Sequence, residues 1–266
     1  MFRGNYHFFD YKYNIPGYTG QDHGSIAQYL YLSISIILII VLLYLLRKSS
    51  RERVLHIIRG ISIFLILFYI VKTSWESYYD IQLSGSFNTG LLPLDTCSLI
   101  MLAGVLAGFT KGKIERIASC WLATGGVLGG FATMILLNAF YYYPFLSFGA
   151  FYSMIWHFLM VFLGLLMIVT GYVDCNYKTI LSGFFFHILF SILVIPIDFI
   201  FQWDFMMYYN LGSIPFFEGI ASNLTMHGFR FLNPFMMLVL YFLAYHLSLC
   251  LGFGIKAFIF KMSKII

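Results

Sequence analysis

The sequence predicts an all-α fold: a polytopic membrane protein with seven transmembrane helices, its N-terminus outside and its C-terminus cytoplasmic. Three observations carry this. Hydrophobic residues make up 61% of the 266-residue chain and charged residues only 10%, where a soluble domain carries about 25% charged residues. The apolar residues gather into seven segments of about the twenty residues that a bilayer crossing requires. Lysine and arginine then divide unevenly between alternate loops, as the positive-inside rule expects.

The seven segments run roughly 26–46, 54–72, 91–109, 115–137, 150–171, 179–201 and 234–258. Residues 1–25 are polar and aromatic with no apolar stretch, so they read as an extracytoplasmic N-terminal segment rather than a signal peptide. Residues 26–266 form the transmembrane domain. One side of the bundle collects Arg47, Lys48, Arg51, Arg53, Lys111, Lys113, Arg116, Lys178, Lys256, Lys261 and Lys264, with Arg59 just inside the second span. The other side has Arg3, Lys12, Lys72 and Arg230. The basic side is therefore expected in the cytoplasm, and the cell membrane is the expected location. The formal charge of +5 follows from this topology and does not call for nucleic acid.

The outer connections are expected as loops over 73–90, 138–149 and 202–233. They are rich in Trp and Tyr, which settle at the headgroup level. The spacings Gly104-x-x-x-Gly108 and Gly125-x-x-x-Gly129 suit close helix contact. Cys97, Cys120, Cys175 and Cys250 lie far apart with no CxxC or zinc-like spacing, so neither a metal site nor a disulfide framework is expected. A P-loop and a GxGxxG are both lacking, so no cofactor is implied.

The chemistry concentrates at Leu91-Leu92-Pro93-Leu94-Asp95-Thr96-Cys97-Ser98-Leu99, where a carboxylate and a thiol open the third apolar segment. An ionisable group inside a span costs roughly 2.5–3.5 kcal/mol on insertion scales and marks a site by default. Cys97 lies about six residues into its segment, roughly 9–10 Å deep at 1.5 Å per residue. Trp156-His157 lies about seven residues into the fifth segment, which also starts outside. A thiol and an imidazole are thus expected at one depth, in a pocket among spans three, five and six. An imidazole beside a thiol raises the thiolate fraction and makes a nucleophile. The competing reading makes Cys97 a small packing residue and His157 a structural hydrogen-bond partner. On a helix Asp95 points about 200° away from Cys97, so it orients a partner or sits at the headgroups. His187, Asp198 and His246 are further polar groups within spans, and Asn223-Leu224-Thr225 forms a glycosylation sequon.

The Leu92-Pro93-Leu94-x-x-Cys97 element resembles the signature of the YwaF-type integral membrane proteins, a family that extends distantly to an animal ether-phospholipid acyltransferase. Trp75-Glu76 before it, His157 sixty residues after it, and the run from Asp204 through Tyr208-Tyr209-Asn210 to Pro215 agree with that family. The resemblance spans roughly 70–260. It implies a seven-helix fold and, for the animal members, acyl transfer between phospholipids through a Cys and a His that match Cys97 and His157. Many bacterial members carry His two residues before the Cys, where this chain has Asp95.

The resulting expectation is a membrane lipid acyltransferase with a phospholipid or other lipid as substrate. Cys97 is the nucleophile, His157 the base, and Asp95 or Asp198 an orienting group. A binding or transport component with a polar path through Asp95, His157, His187 and Asp198 is the alternative. A retinal-type sensor is disfavoured, because Lys256 lies at the end of the last span rather than mid-span.

Overall fold

A computed structural model describes residues 4–12, 15–86, 88–136, 139–210 and 218–264, and among them every regular element is helical. Helix α1 (Ile26–Leu46) starts at Ser25, whose hydroxyl accepts the Ala27 N–H. Helix α2 (Arg51–Ser84) starts at Ser50, which accepts the Arg53 N–H, and carries Glu52 in its first turn. Both are N-caps of the usual chemistry. A 3₁₀ turn (Thr89–Leu91) leads to α3 (Leu99–Phe109). Next come α4 (Lys113–Trp121), a π-helical segment (Leu122–Gly126) and α5 (Val127–Leu136). The short α6 (Ala139–Tyr142) precedes α7 (Phe148–Val169) and α8 (Tyr177–Phe201). Last are α9 (Glu218–Met226) and α10 (Asn233–Met262), the latter with Pro234 in its first turn, where a missing N–H costs nothing.

Six of these helical runs are long and apolar enough to cross a membrane, and the third of the seven expected segments is not among them. Helix was expected over 91–109, but it holds only from Leu99, giving 11 residues and about 16 Å of length. Pro93 lacks an N–H and biases Leu92 to an extended conformation (φ −68°, ψ 141°). Asp95 then takes the Ser98 N–H on its carboxylate at 2.7 Å, a local turn that competes with a continuous helix.

The second correction is at α2, which runs 34 residues where a loop was expected from 73. Lys72 and Glu76 pair at 2.5 Å across one turn and carry the helix into its polar extension. The helix ends at Gly85, left-handed at φ 70°, where a side chain would be strained. The N-terminal segment packs on this extension. Tyr11 is fully buried, donates to Asp80 at 2.5 Å and stacks on Tyr79. The Trp75 indole donates to the Phe9 carbonyl, and Asp22 accepts the Phe145 N–H.

Helix α7 is the most buried of the six long helices and forms the centre of the bundle. Small residues let its neighbours approach. A Cβ on Gly130 would collide with Met160 and Val161 of α7, and one on Gly164 would collide with the Leu122 carbonyl. Helix α2 and the 91–115 stretch lie antiparallel in a continuous register. The Tyr69 hydroxyl donates to the Leu91 carbonyl, Ser62 sits where a Cβ on Gly104 would go, Arg59 donates to the Gly108 carbonyl at 2.7 Å, and Arg51 pairs with Glu115 at 2.6 Å.

Candidate functional site

A cavity of about 500 Å³ opens beside the irregular 91–98 stretch. Asp95, Thr96 and Cys97 line it from that stretch, Thr133 from α5, His157 from α7 and Tyr241 from α10. Phe205, Met206, Met207 and Met237 add apolar wall. The Asp204 carboxylate shapes the 205–207 segment by accepting the N–H groups of Tyr209 and Asn210, and Met207 is held at a left-handed φ of 60°.

The structure brings Cys97 and His157 to this one cavity. The Trp156 indole N–H donates to the Cys97 carbonyl at 3.3 Å, fixing the two elements together. The thiol lies 3.9 Å from the Thr133 hydroxyl. That hydroxyl donates to the Gly129 carbonyl, so the S–H points to its oxygen. His157 Nδ1 lies 2.7 Å from the Ser153 carbonyl. A carbonyl only accepts, so Nδ1 carries the ring proton and Nε2 presents a lone pair. Nε2 has no hydrogen-bond partner among the described residues. Thiol and imidazole therefore share a cavity without a direct hydrogen bond between them.

The chain matches the model of the TMEM164 family over residues 18–257. The chain belongs to the TMEM164 family. With its six long apolar helices, it is a multi-pass membrane protein. No curated protein and no solved structure matches it.

In this TMEM164-family chain, Asp95 stands just before α3. It lines the cavity, and its carboxylate is bonded to the Ser98 N–H at the start of α3. Asp198 is fully buried at the end of α8, where it accepts the Phe205 N–H and lies outside the Cys97 cavity. The pocket expected among spans three, five and six instead takes its walls from α2, the 91–98 stretch, α5, α7 and α10, and α8 contributes none of the lining. The family-like run from Asp204 is described only to Asn210, and 211–215 lie outside the described residues.

His187 is a hub of buried hydroxyls behind the cavity. The Ser191 hydroxyl donates to the His187 carbonyl at 2.8 Å, so the 2.5 Å contact between Tyr208 and Ser191 has Tyr208 as donor. His187 Nε2–H then donates to the Tyr208 oxygen at 3.3 Å, and Tyr245 donates to Nδ1 at 3.0 Å. Every donor in this chain is used, which is the requirement for polar groups at zero exposure. His246 bonds the Phe242 carbonyl of its own helix.

Sequence reading passed over one pair. Thr96 and Tyr241 share a hydrogen bond at 2.9 Å. One of two such hydroxyls donates to the other, so one O–H is left without an acceptor among the described residues, and both groups line the cavity. Tyr241 lies 145 residues from Thr96 in the chain, and nothing local in the sequence announces the pairing.

Proposed function

We propose that this protein is a lipid acyltransferase that carries the acyl group on Cys97 as a thioester. The observation that carries the reading is the His157 tautomer: Nε2 holds a lone pair, has no hydrogen-bond partner among the described residues, and belongs to a residue that lines the same cavity as Cys97. The Leu92-Pro93-Leu94-x-x-Cys97 resemblance to the YwaF-type proteins supports the same assignment.

His157 Nε2 takes the Cys97 proton once the thiol turns from Thr133, or through one water. The thiolate attacks the ester carbonyl carbon of a donor lipid. The carbonyl oxygen takes up negative charge, and this scheme assigns its stabilisation to the second hydroxyl hydrogen of the Thr96–Tyr241 pair, which lines the same cavity. The C–O bond breaks, and the imidazolium returns its proton to the leaving alkoxide. In the second half, His157 takes the proton of an acceptor hydroxyl, which attacks the thioester. The C–S bond breaks, and the thiolate recovers the proton. Met206, Met207, Met237 and Phe205 line the apolar space for the chain. Asp95 shapes the start of α3 in this scheme.

The same reading takes the chain across the membrane seven times, with the N-terminus outside and the basic end in the cytoplasm. The antiparallel register of 91–115 against α2 supports it. Tyr69 and Arg51, the partners of Leu91 and Glu115, are separated by about 27 Å along α2, close to the roughly 30 Å of a hydrocarbon core. An unwound stretch at membrane depth is tolerated where it lines a cavity, as 91–98 does.

The test is acyl trapping. Purified protein incubated with an alkyne-tagged phospholipid is expected to take up a hydroxylamine-labile label. Cys97→Ala abolishes it, and His157→Gln lowers its rate by about 10²–10⁴. Equal labelling of wild type and Cys97→Ala would remove the acyl-enzyme.

A further inference from the structure

We propose that the basic end of the bundle holds a second site, which takes a terminal phosphate group, either the monoester headgroup of a membrane lipid or free phosphate. A cavity of about 310 Å³ opens there, among the start of α2, the start of α4, the α7–α8 loop and Thr179 of α8. Its lining is largely polar, unlike that around Cys97.

Ser119 lies in its wall. The residue is 2% exposed, and its hydroxyl has no hydrogen-bond partner among the described residues. A buried hydroxyl left unpaired is uncommon in a native protein and points to a group that completes it. Arg116, one helical turn earlier, also lines the cavity, and its guanidinium makes no ion pair among the described residues. Arg51 is the third donor. Its Nη2 binds Glu115 and its face lies 4.1 Å from the Tyr172 ring, which leaves further N–H groups of the fork free. Three donors around one cavity match the three terminal oxygens of a phosphomonoester.

Two carboxylates line the cavity and must be accounted for. Glu115 is satisfied by Arg51 and by the Tyr172 hydroxyl, both at 2.6 Å, so its charge is spent within the wall. Asp174 is exposed, where solvent and salt screen it. Lys111, just before α4, Lys113 in its first turn and Lys178 in the first turn of α8 make the surroundings positive. Basic pockets at the ends of membrane helices are suited to anionic headgroups.

The experiment uses the full chain in detergent, with lipid retention followed by native mass spectrometry. Dioleoyl phosphatidic acid is the probe, and dioleoyl phosphatidylcholine is the comparison. Phosphatidic acid is expected to be retained in preference. Arg116→Gln is expected to lower its apparent affinity about tenfold, the loss of one charge-assisted hydrogen bond. Ser119→Ala lowers it a few-fold while leaving the unliganded melting temperature unchanged or higher. Lys113→Gln, one turn away and outside the lining, changes it less than about twofold. Displacement by inorganic phosphate, and not by chloride at equal ionic strength, identifies the free ion as sufficient; retention against phosphate identifies the lipid. Equal retention of the two lipids, or equal losses in Arg116→Gln and Lys113→Gln, would overturn the site. Acyl trapping at Cys97 is read separately, so either proposal can fail alone.

Discussion

Replacing Asp95 by Asn and by Ala separates two roles that the cavity lining alone leaves together. The carboxylate accepts the Ser98 N–H at 2.7 Å, and its own carbonyl accepts the Ser98 and Leu99 N–H groups at 3.1 and 3.3 Å. It therefore acts as the cap of the turn that starts α3. Asn presents the same acceptor without the charge, and Ala presents none. Loss of such a cap costs about 0.5–2 kcal/mol, typically about 1, while Asn is close to Asp in the same position. For a chain of this size, 1 kcal/mol corresponds to about 2–4 °C in melting temperature. Asp95→Ala is thus expected to melt about 2–4 °C lower, and Asp95→Asn within about 1 °C of wild type, in a thermal unfolding assay in detergent. Acyl labelling should follow the same order, with Asn near wild type and Ala reduced, because Cys97 is two residues further along the capped turn. A charge that orients or stabilises His157 behaves differently. Asp95→Asn would then lose labelling by about a hundredfold or more at unchanged melting temperature. That outcome refutes the capping account.

Tyr208→Phe leaves the His187 Nε2–H without its acceptor and removes the hydrogen bond that Ser191 accepts, and a loss of about 1–3 kcal/mol is expected from denaturant or thermal unfolding. Gly125→Ala places a methyl against the Tyr245 hydroxyl and the Trp121 indole and should cost about 1–3 kcal/mol, whereas Gly254→Ala, with open space around it, should be neutral in the same assay. Burial, and then the bonded Glu115 carboxylate, pushes the Tyr172 phenol up to about 12. The raised value stabilises the neutral phenol, so its contribution is complete below about pH 10 and lost as pH rises toward 12; the phenolate absorbance difference between wild type and Tyr172→Phe should show that late titration.

Hydropathy located the long helices because a bilayer crossing leaves about twenty apolar residues in a row. It failed where polar side chains pair with one another. Helix α2 continues past residue 72 because Lys72 meets Glu76 and Asp80 meets Tyr11, and a hydropathy window counts such residues as loop. The third segment failed in the opposite direction. Residues 91–94 are apolar enough to read as span, but Pro93 and Asp95 set a turn there. In the candidate site, depth counting brought Cys97 and His157 to one level. It gave no information on helix rotation, so Thr133, Thr96 and Tyr241 were not found and α8 was wrongly placed in the wall. The His157 tautomer depends on one carbonyl four residues back along α7, which pattern reading does not resolve.

The unwound 91–98 stretch raises a question of hydrogen-bond accounting, because on the seven-span proposal its backbone groups stand at membrane depth with no water to fall back on. The Leu92 carbonyl accepts the Leu94 N–H, and the Asp95 carbonyl accepts from Ser98 and Leu99. The Leu91 carbonyl is taken by the Tyr69 hydroxyl of α2 and the Cys97 carbonyl by the Trp156 indole of α7. Two long side chains from neighbouring helices thus stand in for the missing helical bonds, and Trp156 does so at the residue that bears the thiol. The Cys97 carbonyl also receives the Ile100 N–H, at a long 3.4 Å. Trp156→Phe keeps the buried ring and removes the donor. A loss of about 1 kcal/mol is expected, the net worth of one hydrogen bond whose acceptor retains a weaker partner. The larger effect should fall on function. With the 97 carbonyl released from α7, the thiol loses its fixed relation to His157, and labelling at Cys97 should fall further than the small stability loss accounts for. Trp156→Phe that labels like wild type would show that the indole only fills space and that the register of 91–98 is held from α2 alone.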